Sequence, residues 1–355
     1  MPPKESKKPE NTSFKQQRLK SWQPLLTPKS VIPAFFIIGL IFIPIGAVLY
    51  IASDNVHQTV FDYTNCKNAP STFTTPTENN GITKWKYNPD TKECTIQFQV
   101  EKSINAPVYL YYRLTNFYQN NRKYVKSFDL NQLKGDAVPS GSINSLCSPV
   151  DVPKTGVTVS INGVSVAPDA DAVYYPCGLI ANSLFSGVCS INDPTSTVLY
   201  NISSKGIAWP SDADKYGKSS YLTNPAFANN ITTKVIPPPF WRDAFPQWKN
   251  GYTASNFPDL NTWEHFQVWM RTAGLPTFRK LYGVNSQNQL NYGLWQLVIV
   301  QNFDCDKFGG TKSIVLSSTS ILGGKNYFLG SAYVVIGALC VALGIAFLIR
   351  NLKTW

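Results

Sequence analysis

Histidine is nearly missing from this chain of 355 residues: His57 and His265 are the only two. No C-x-x-C, no H-E-x-x-H and no mixed Cys/His cluster occurs, so the spacings that hold zinc are lacking. Nor is there a G-x-S-x-G elbow or a glycine-rich phosphate loop ending in Lys-Ser/Thr, the signatures of serine hydrolases and P-loop nucleotidases. Carboxylates do occur close together, as a glycosidase would need: Asp304 and Asp306 flank Cys305, and Glu264 adjoins His265. They read as surface or capping groups, and His265, among Trp263, Phe266 and Trp269, reads as a packing residue. No catalytic, cofactor-binding or metal-ligating residue is assigned, and the chain is not expected to be an enzyme. No internal repeat of fixed period is present.

Charge is lacking from two long apolar runs, Val31–Ala52 and Phe328–Ile349, each of 22 residues. A helix of that length spans about 33 Å, enough to cross a hydrocarbon core of about 30 Å. The first run is too long for a signal-peptide core and no A-x-A-like site follows it, so an uncleaved signal anchor is expected. The formal net charge of +11 invites a nucleic-acid reading, but its distribution argues otherwise. Residues 1–30 hold seven basic against two acidic residues, and the end of the chain adds Arg350 and Lys353. Only +4 is left for everything between. Basic flanks on the outer ends of both spans place both termini in the cytosol. The charge is topological, with added attraction to anionic lipid, and no nucleic-acid partner is expected.

The expected organisation is a basic cytosolic tail (1–30), a first span (31–52), a lumenal or extracellular domain (53–327), a second span (328–349) and a short cytosolic end (350–355). Cysteine usage agrees. Cys66, Cys94, Cys147, Cys177, Cys189 and Cys305 lie between the spans, an even set that reads as disulfides with fifteen possible connectivities. Cys340 lies in the second span. The sequons Asn201-Ile-Ser and Asn230-Ile-Thr are glycan acceptors in that segment, whereas Asn11-Thr-Ser is left cytosolic and unmodified.

The middle segment carries many β signals. Ile96, Phe98 and Val100 alternate with Thr95, Gln97 and Gln99, and Val157, Val159 and Ile161 run up to an Asn162-Gly163 turn. Val108–Leu114, Leu290–Phe303 and Ile314–Ile321 have strand composition. The expected fold is two transmembrane α-helices flanking a β-rich, disulfide-linked ectodomain, an antiparallel sandwich of α+β class. One helix is expected, entered by an Asn261/Glu264 capping box, with Phe266 and Met270 on one face and Gly274 and Pro276 as stops. Pro237-Pro238-Pro239 reads as extended linker, and residues 1–30 should not fold alone.

In the second span Gly330, Gly337 and Gly344 recur every seven residues, nearly on one face, beside a stripe of Ala338, Ala342 and Ala346. Gly39 and Gly46 repeat the spacing in the first span, which also holds Pro33 and Pro44. Such stripes let another helix backbone come close. Neither span carries a charged or strongly polar residue to line a transport path. The chain reads as a subunit.

Longer strings then identify a family. Phe14-Lys-Gln-Gln-Arg-Leu19 with Trp22-Gln-Pro-Leu-Leu26, the span string from Phe35 to Gly46, Leu114 to Ser127, Pro176 to Phe185, Gly206-Ile-Ala-Trp-Pro210, Val268 to Tyr282 and Gly323 to Gly330 resemble the Cdc50/Lem3 family. These are accessory β subunits of P4-type ATPases, the phospholipid flippases, and the resemblance covers nearly the whole chain. It implies a non-catalytic subunit, in a 1:1 heterodimer with the ATPase catalytic subunit, needed for the ATPase to fold, leave the endoplasmic reticulum and complete its phosphorylation cycle. It also implies contact with membrane phospholipids, and residence in endoplasmic reticulum, Golgi, endosomal or plasma membranes. The family's two shared bridges map by order onto Cys66–Cys94 and Cys147–Cys177, leaving Cys189 and Cys305 as a third expected pair. Asn291-Tyr-Gly stands where some relatives carry a sequon, so their glycan pattern does not transfer. The ectodomain is expected to cap the ATPase's exoplasmic loops. Partner contacts are expected at Phe14, Arg18, Leu19 and Trp22 in the tail and at Gly330, Gly337 and Gly344 in the second span. The alternative is a membrane-anchored receptor or adhesion ectodomain, which fits the composition but not the strings.

Overall fold

The computed structural model describes residues 8–20, 27–77, 81–154, 156–161, 163–195, 199–320 and 323–353, with only the backbone at 188. Trp22 and Asn162 lie outside the described residues. The chain divides into two units, residues 1–54 with 326–355, and residues 55–325.

The first unit is built on two helices, Pro28–Asp54 and Phe328–Lys353, each long and apolar enough to cross a membrane. Both run past the apolar strings, and the second takes Arg350 and Lys353 into its last turn, where cations suit the helix dipole. The pair lies antiparallel, as ring contacts place Phe35 by Phe347, Phe42 by Tyr333 and Tyr50 by Tyr327. At the 54/326 end, Asn326 N donates to Ser53 Oγ at 2.7 Å and Tyr327 OH to Asp54 Oδ1 at 2.7 Å. The described tail residues form turns only, as their polar composition requires.

In the second unit the strands are β1 (Gln58–Asp62), β2 (Lys84–Asn88), β3 (Glu93–Val100), β4 (Val108–Leu114), β5 (Val159–Ile161), β6 (Val164–Val166) and β7 (Val173–Tyr174). They continue as β8 (Val188–Asn192), β9 (Leu199–Tyr200), β10 (Val235–Ile236), β11 (Phe278–Asn285), β12 (Gly293–Val300) and β13 (Lys312–Ser317). Two antiparallel sheets result, ordered β1-β13-β4-β11 and β2-β3-β12-β8-β9. Their inner faces share one core. Phe61, Leu110, Leu114, Ile314 and Leu316 come from the first sheet, and Ile96, Phe98, Ile191, Leu297 and Ile299 from the second. Phe61 and Phe98 meet across the sandwich with ring centres 4.6 Å apart. Alternation explains β4, where Val108, Leu110, Tyr112 and Leu114 are the buried positions. It fails for β13, which is buried along its whole length.

Disulfides join Cys66 to Cys94 and Cys147 to Cys177. The third expected bridge is not formed: Cys189 and Cys305 are buried free thiols. Burial pushes the Cys189 thiol up, and burial also carries Cys305 up to about 11 against the opposing pull of Lys312. Both are therefore neutral near pH 7 and pack as small apolar side chains. Two further expectations are corrected. Pro237 and Pro238 are buried behind β10, which pairs with β7, and Pro239 opens a helix at Pro239–Ala244 where its missing N–H costs nothing. The expected capping box is absent as well, since the helix starts at Glu264 with Trp263 at its cap.

Candidate functional site

The glycine stripe of the second span is spent inside the chain. Gly330, Gly337 and Gly344 are buried, as are Gly39 and Gly46 opposite them. A Cβ at Gly330 would lie 2.7 Å from Tyr50 N and 2.9 Å from its Cα, and one at Gly46 would lie 2.8 Å from Val334 N. At Gly337 it would meet Ile43 Cγ1 at 2.8 Å, and at Gly344 the Phe36 ring at 3.3 Å. These glycines, expected as partner contacts, join the two helices of one chain. The alanines at 338, 342 and 346 stay exposed on the other side. In the tail Phe14 (76% exposed), Arg18 and Leu19 are all open. Asn201 and Asn230 are exposed too.

In the ectodomain four of the family strings converge. The 176–185 string packs on the 114–127 string: Leu179 N donates to Ser127 Oγ at 2.9 Å, and Tyr124 OH meets Ser183 Oγ at 2.7 Å. Gly178 fits there because it has φ of +99° and because a Cβ would strike Ser127 O. Trp269, from the 268–282 string, donates through its indole to Ile180 O at 2.7 Å and packs on Tyr112, Phe117, Phe278 and Phe303. Gln119 Oε1 accepts from Ala273 N at 2.9 Å. The fourth string, Gly206–Pro210, is held by Glu264, whose carboxylate accepts from the N–H groups of Gly206, Ile207 and Ala208 at 2.9, 2.7 and 2.9 Å. Trp209 is carried outward at 63% exposure, with Pro210 starting the next turn of helix.

Beside that loop lies a groove of about 360 Å³ lined by Trp209, Asp212, Arg271, Arg279 and Lys280 among others. The Arg271 guanidinium stacks 4.2 Å over the Trp209 ring and bonds Asp212 Oδ2 at 3.0 Å. Arg279 stacks on Tyr111 at 5.0 Å and bonds Gln58. Lys280 is buried, and its ammonium donates to the carbonyls of Val268, Trp269 and Arg271 at the end of the 264–270 helix. Burial pulls Lys280 down to about 7, Arg271 adds to the fall and Asp212 opposes it.

Sequence reasoning did not find Trp209, Lys280 or the carboxylate duty of Glu264. For Glu264 the signal was ambiguous, because three residues after Asn261 it matched a capping box. His265 is a packing group as read: its ring stacks on Tyr282 at 4.5 Å, Nε2 meets Tyr282 O at 2.7 Å, and burial lowers its pKa. Asp304 Oδ1 accepts from Asp306 N at 3.1 Å, and Asp306 pairs with Lys67. Among the described residues no group of three His, Cys, Asp or Glu is placed to hold a metal ion.

The model of the LEM3 (ligand-effect modulator 3) family / CDC50 family matches residues 49–354. The chain is similar to the phospholipid-transporting ATPase accessory subunit CRF1 of Saccharomyces cerevisiae, at 38% identity over 97% of this chain and 85% of that protein. It is 38% identical to cell cycle control protein 50A of Mus musculus over 98% of this chain and 90% of the mouse one. With cell cycle control protein 50B of Homo sapiens it shares 36% identity over 97% and 94%.

Proposed function

Since the chain belongs to the LEM3/CDC50 family, we propose that it is the non-catalytic accessory subunit of a phospholipid-transporting ATPase, bound one to one. The observation that carries this is the family match over residues 49–354, the end of the first helix, the whole domain after it and the second helix, together with relatives named as accessory subunits of such ATPases that align with nearly the whole chain. The ATPase supplies phosphoryl transfer and the lipid path. This chain supplies a helix pair in the bilayer, a rigid ectodomain, and a basic tail whose open Phe14, Arg18 and Leu19 suit contact on the cytosolic side.

In this reading both termini are cytosolic, the ectodomain is lumenal or extracellular with glycans on Asn201 and Asn230, and the partner needs the chain to leave the endoplasmic reticulum. Contact with membrane phospholipid is through the apolar outer faces of the helix pair. The test is affinity purification of the tagged full-length chain in mild detergent. We expect one phospholipid-transporting ATPase in stoichiometric yield, and loss of that ATPase's surface or Golgi pool when the chain is deleted. A different stoichiometric partner, or none, would overturn the reading.

A further inference from the structure

A cleft of about 590 Å³ opens on the ectodomain beside β2, within the ordinary size range of ligand clefts. One wall is the turn of helix Thr64–Asn68, tied to β3 by the Cys66–Cys94 disulfide. The other is the segment 69–77, which backbone bonds pin to β2. Tyr87 N donates to Pro70 O at 3.0 Å, and Thr74 and Trp85 exchange N–H bonds at 2.9 and 2.8 Å. Trp85, half-buried against the ectodomain core, supplies an aromatic face to the cleft. Walls fixed in this way need little ordering when a ligand arrives.

The lining groups exclude most classes of ligand. Among the described residues that line the cleft, Asp62 alone is ionisable. Lys67, on the adjacent turn, is paired with Asp306, and the Lys86 ammonium lies 4.7 Å over the Phe73 ring. A phosphate, a phospholipid headgroup or an acidic sugar would therefore meet a carboxylate and no cation. A lone carboxylate does not make a calcium or zinc site. An acyl chain would strand the polar lining without water. That lining is made of amides and hydroxyls, from Asn65, Asn68, Thr75 and Thr77. Among the described residues, neither these side chains nor the Trp85 indole N–H has a hydrogen-bond partner in the chain. Amides and hydroxyls both donate and accept, as every hydroxyl of a sugar does, and Asp62 adds an acceptor. A hexose ring also carries an apolar C–H face that suits the face of an indole.

We propose that this cleft binds neutral hexose units of an oligosaccharide, with Trp85 as the stacking face and Asn65 and Asn68 as the hydroxyl partners. Two sources share that chemistry, the chain's own glycans and the glycans of another molecule, and the test separates them. Only the non-cytosolic placement of the ectodomain is carried over from the reading above. Binding is measured on the chain alone, so its failure leaves the accessory role standing. The full-length chain is purified in a detergent without a sugar headgroup, with and without enzymatic removal of its glycans. Saturation-transfer NMR then probes mannopentaose and cellopentaose, with tetragalacturonate as the acidic control. The deglycosylated chain should bind at least one neutral probe with a Kd on the order of 1 mM or tighter. Asn65→Ala combined with Asn68→Ala should weaken binding about tenfold, and Trp85→Ala about 30-fold. Leu199→Ala, at an exposed site on β9, should bind as wild type does. Both amides are exposed, so the double variant should keep the wild-type thermal transition and carries the test should Trp85→Ala misfold. Binding that appears only after glycan removal would support a site filled by the chain's own sugar. Equal binding before and after removal would support a site for a sugar carried elsewhere. Failure of both neutral probes to bind the deglycosylated chain would overturn the proposal. So would neutral binding that the double variant leaves unchanged, or tetragalacturonate binding as well as the neutral probes.

Discussion

Glycine serves different ends in the two units of this chain. In the helix pair Gly46 and Gly330 keep helical backbone and are there for what they lack, because the opposite backbone occupies the space of a Cβ. In the ectodomain Gly178 is needed first for its φ of +99°. The contrast follows from the solvent. Lipid offers no hydrophobic gain when two apolar helices meet, so the pair depends on close contact of backbones and on the few polar bonds at its 54/326 end. The ectodomain lies in water, where burying aromatic rings is favourable at about 25 cal/mol per Å². Trp241, Trp269, Tyr63, Tyr175, Tyr221 and Tyr252 are its largest fully buried side chains. The first unit should therefore be sensitive to added volume, and the second to removed volume.

The sharpest test of that contrast removes the largest ring at the junction of the family strings. Trp269→Ala deletes contacts with four aromatic rings and leaves Ile180 O without its indole donor. We expect a loss of about 3–5 kcal/mol of ectodomain stability. Denaturant unfolding of the purified chain reads this, while helix insertion should be unaffected. An unchanged midpoint would mean that the aromatic cluster is not what holds the domain.

A second test uses pH. Lys280 has a folded value of about 7, below the ordinary lysine value of 10.5. Below about 7 both folded and unfolded chains bind the proton, and the burial cost is felt in full. Between 7 and 10.5 the unfolded chain holds a proton that the folded chain has released, so stability climbs with pH. Over the window from pH 7 to 9.5 the rise should be on the order of 3 kcal/mol. Comparing wild type with Lys280→Met between pH 7 and 9.5 isolates the effect. Parallel profiles for the two proteins would refute it.

What the sequence disclosed follows the same division. The spans were legible because a bilayer demands an uninterrupted apolar run, and Val31–Ala52 and Phe328–Ile349 fall within helices that extend only slightly further. Val108–Leu114 coincides with β4 and the Cys94–Val100 alternation falls within β3, since local pattern suffices where one face of a strand is buried. The pairing of β1 with β13 was not legible, because it joins residues some 250 positions apart and no local pattern encodes it. Glu264 was misread for a related reason: its three acceptor contacts lie 56 to 58 residues away, on a loop with no periodicity. The glycine stripe was visible in sequence, but whether it faced the partner or the chain's own first helix depends on which backbone arrives, and only the fold specifies that.

The smallest effects are expected in the membrane, and there position along the stripe decides them. At Gly330 and Gly46 an added Cβ meets backbone atoms below 3.0 Å, and backbone in a helix cannot step aside. At Gly344 it meets the Phe36 ring at 3.3 Å, and a ring can turn by a few tenths of an ångström. Gly330→Ala should therefore part the helices at a cost of about 1–3 kcal/mol, the range of overpacking, whereas Gly344→Ala should cost under about 0.5 kcal/mol. Val335→Leu, on the exposed side, should do less still. Alanine is as compatible with insertion as glycine, so all three variants should reach the bilayer equally. Cysteines replacing Phe42 and Tyr333, whose rings lie 5.0 Å apart, report the separation through cross-linking yield in native membranes. Yield should fall for Gly330→Ala and hold for the other two. An equal yield in all three would show that the polar contacts at the 54/326 end hold the pair, and that small residues are merely tolerated between the helices.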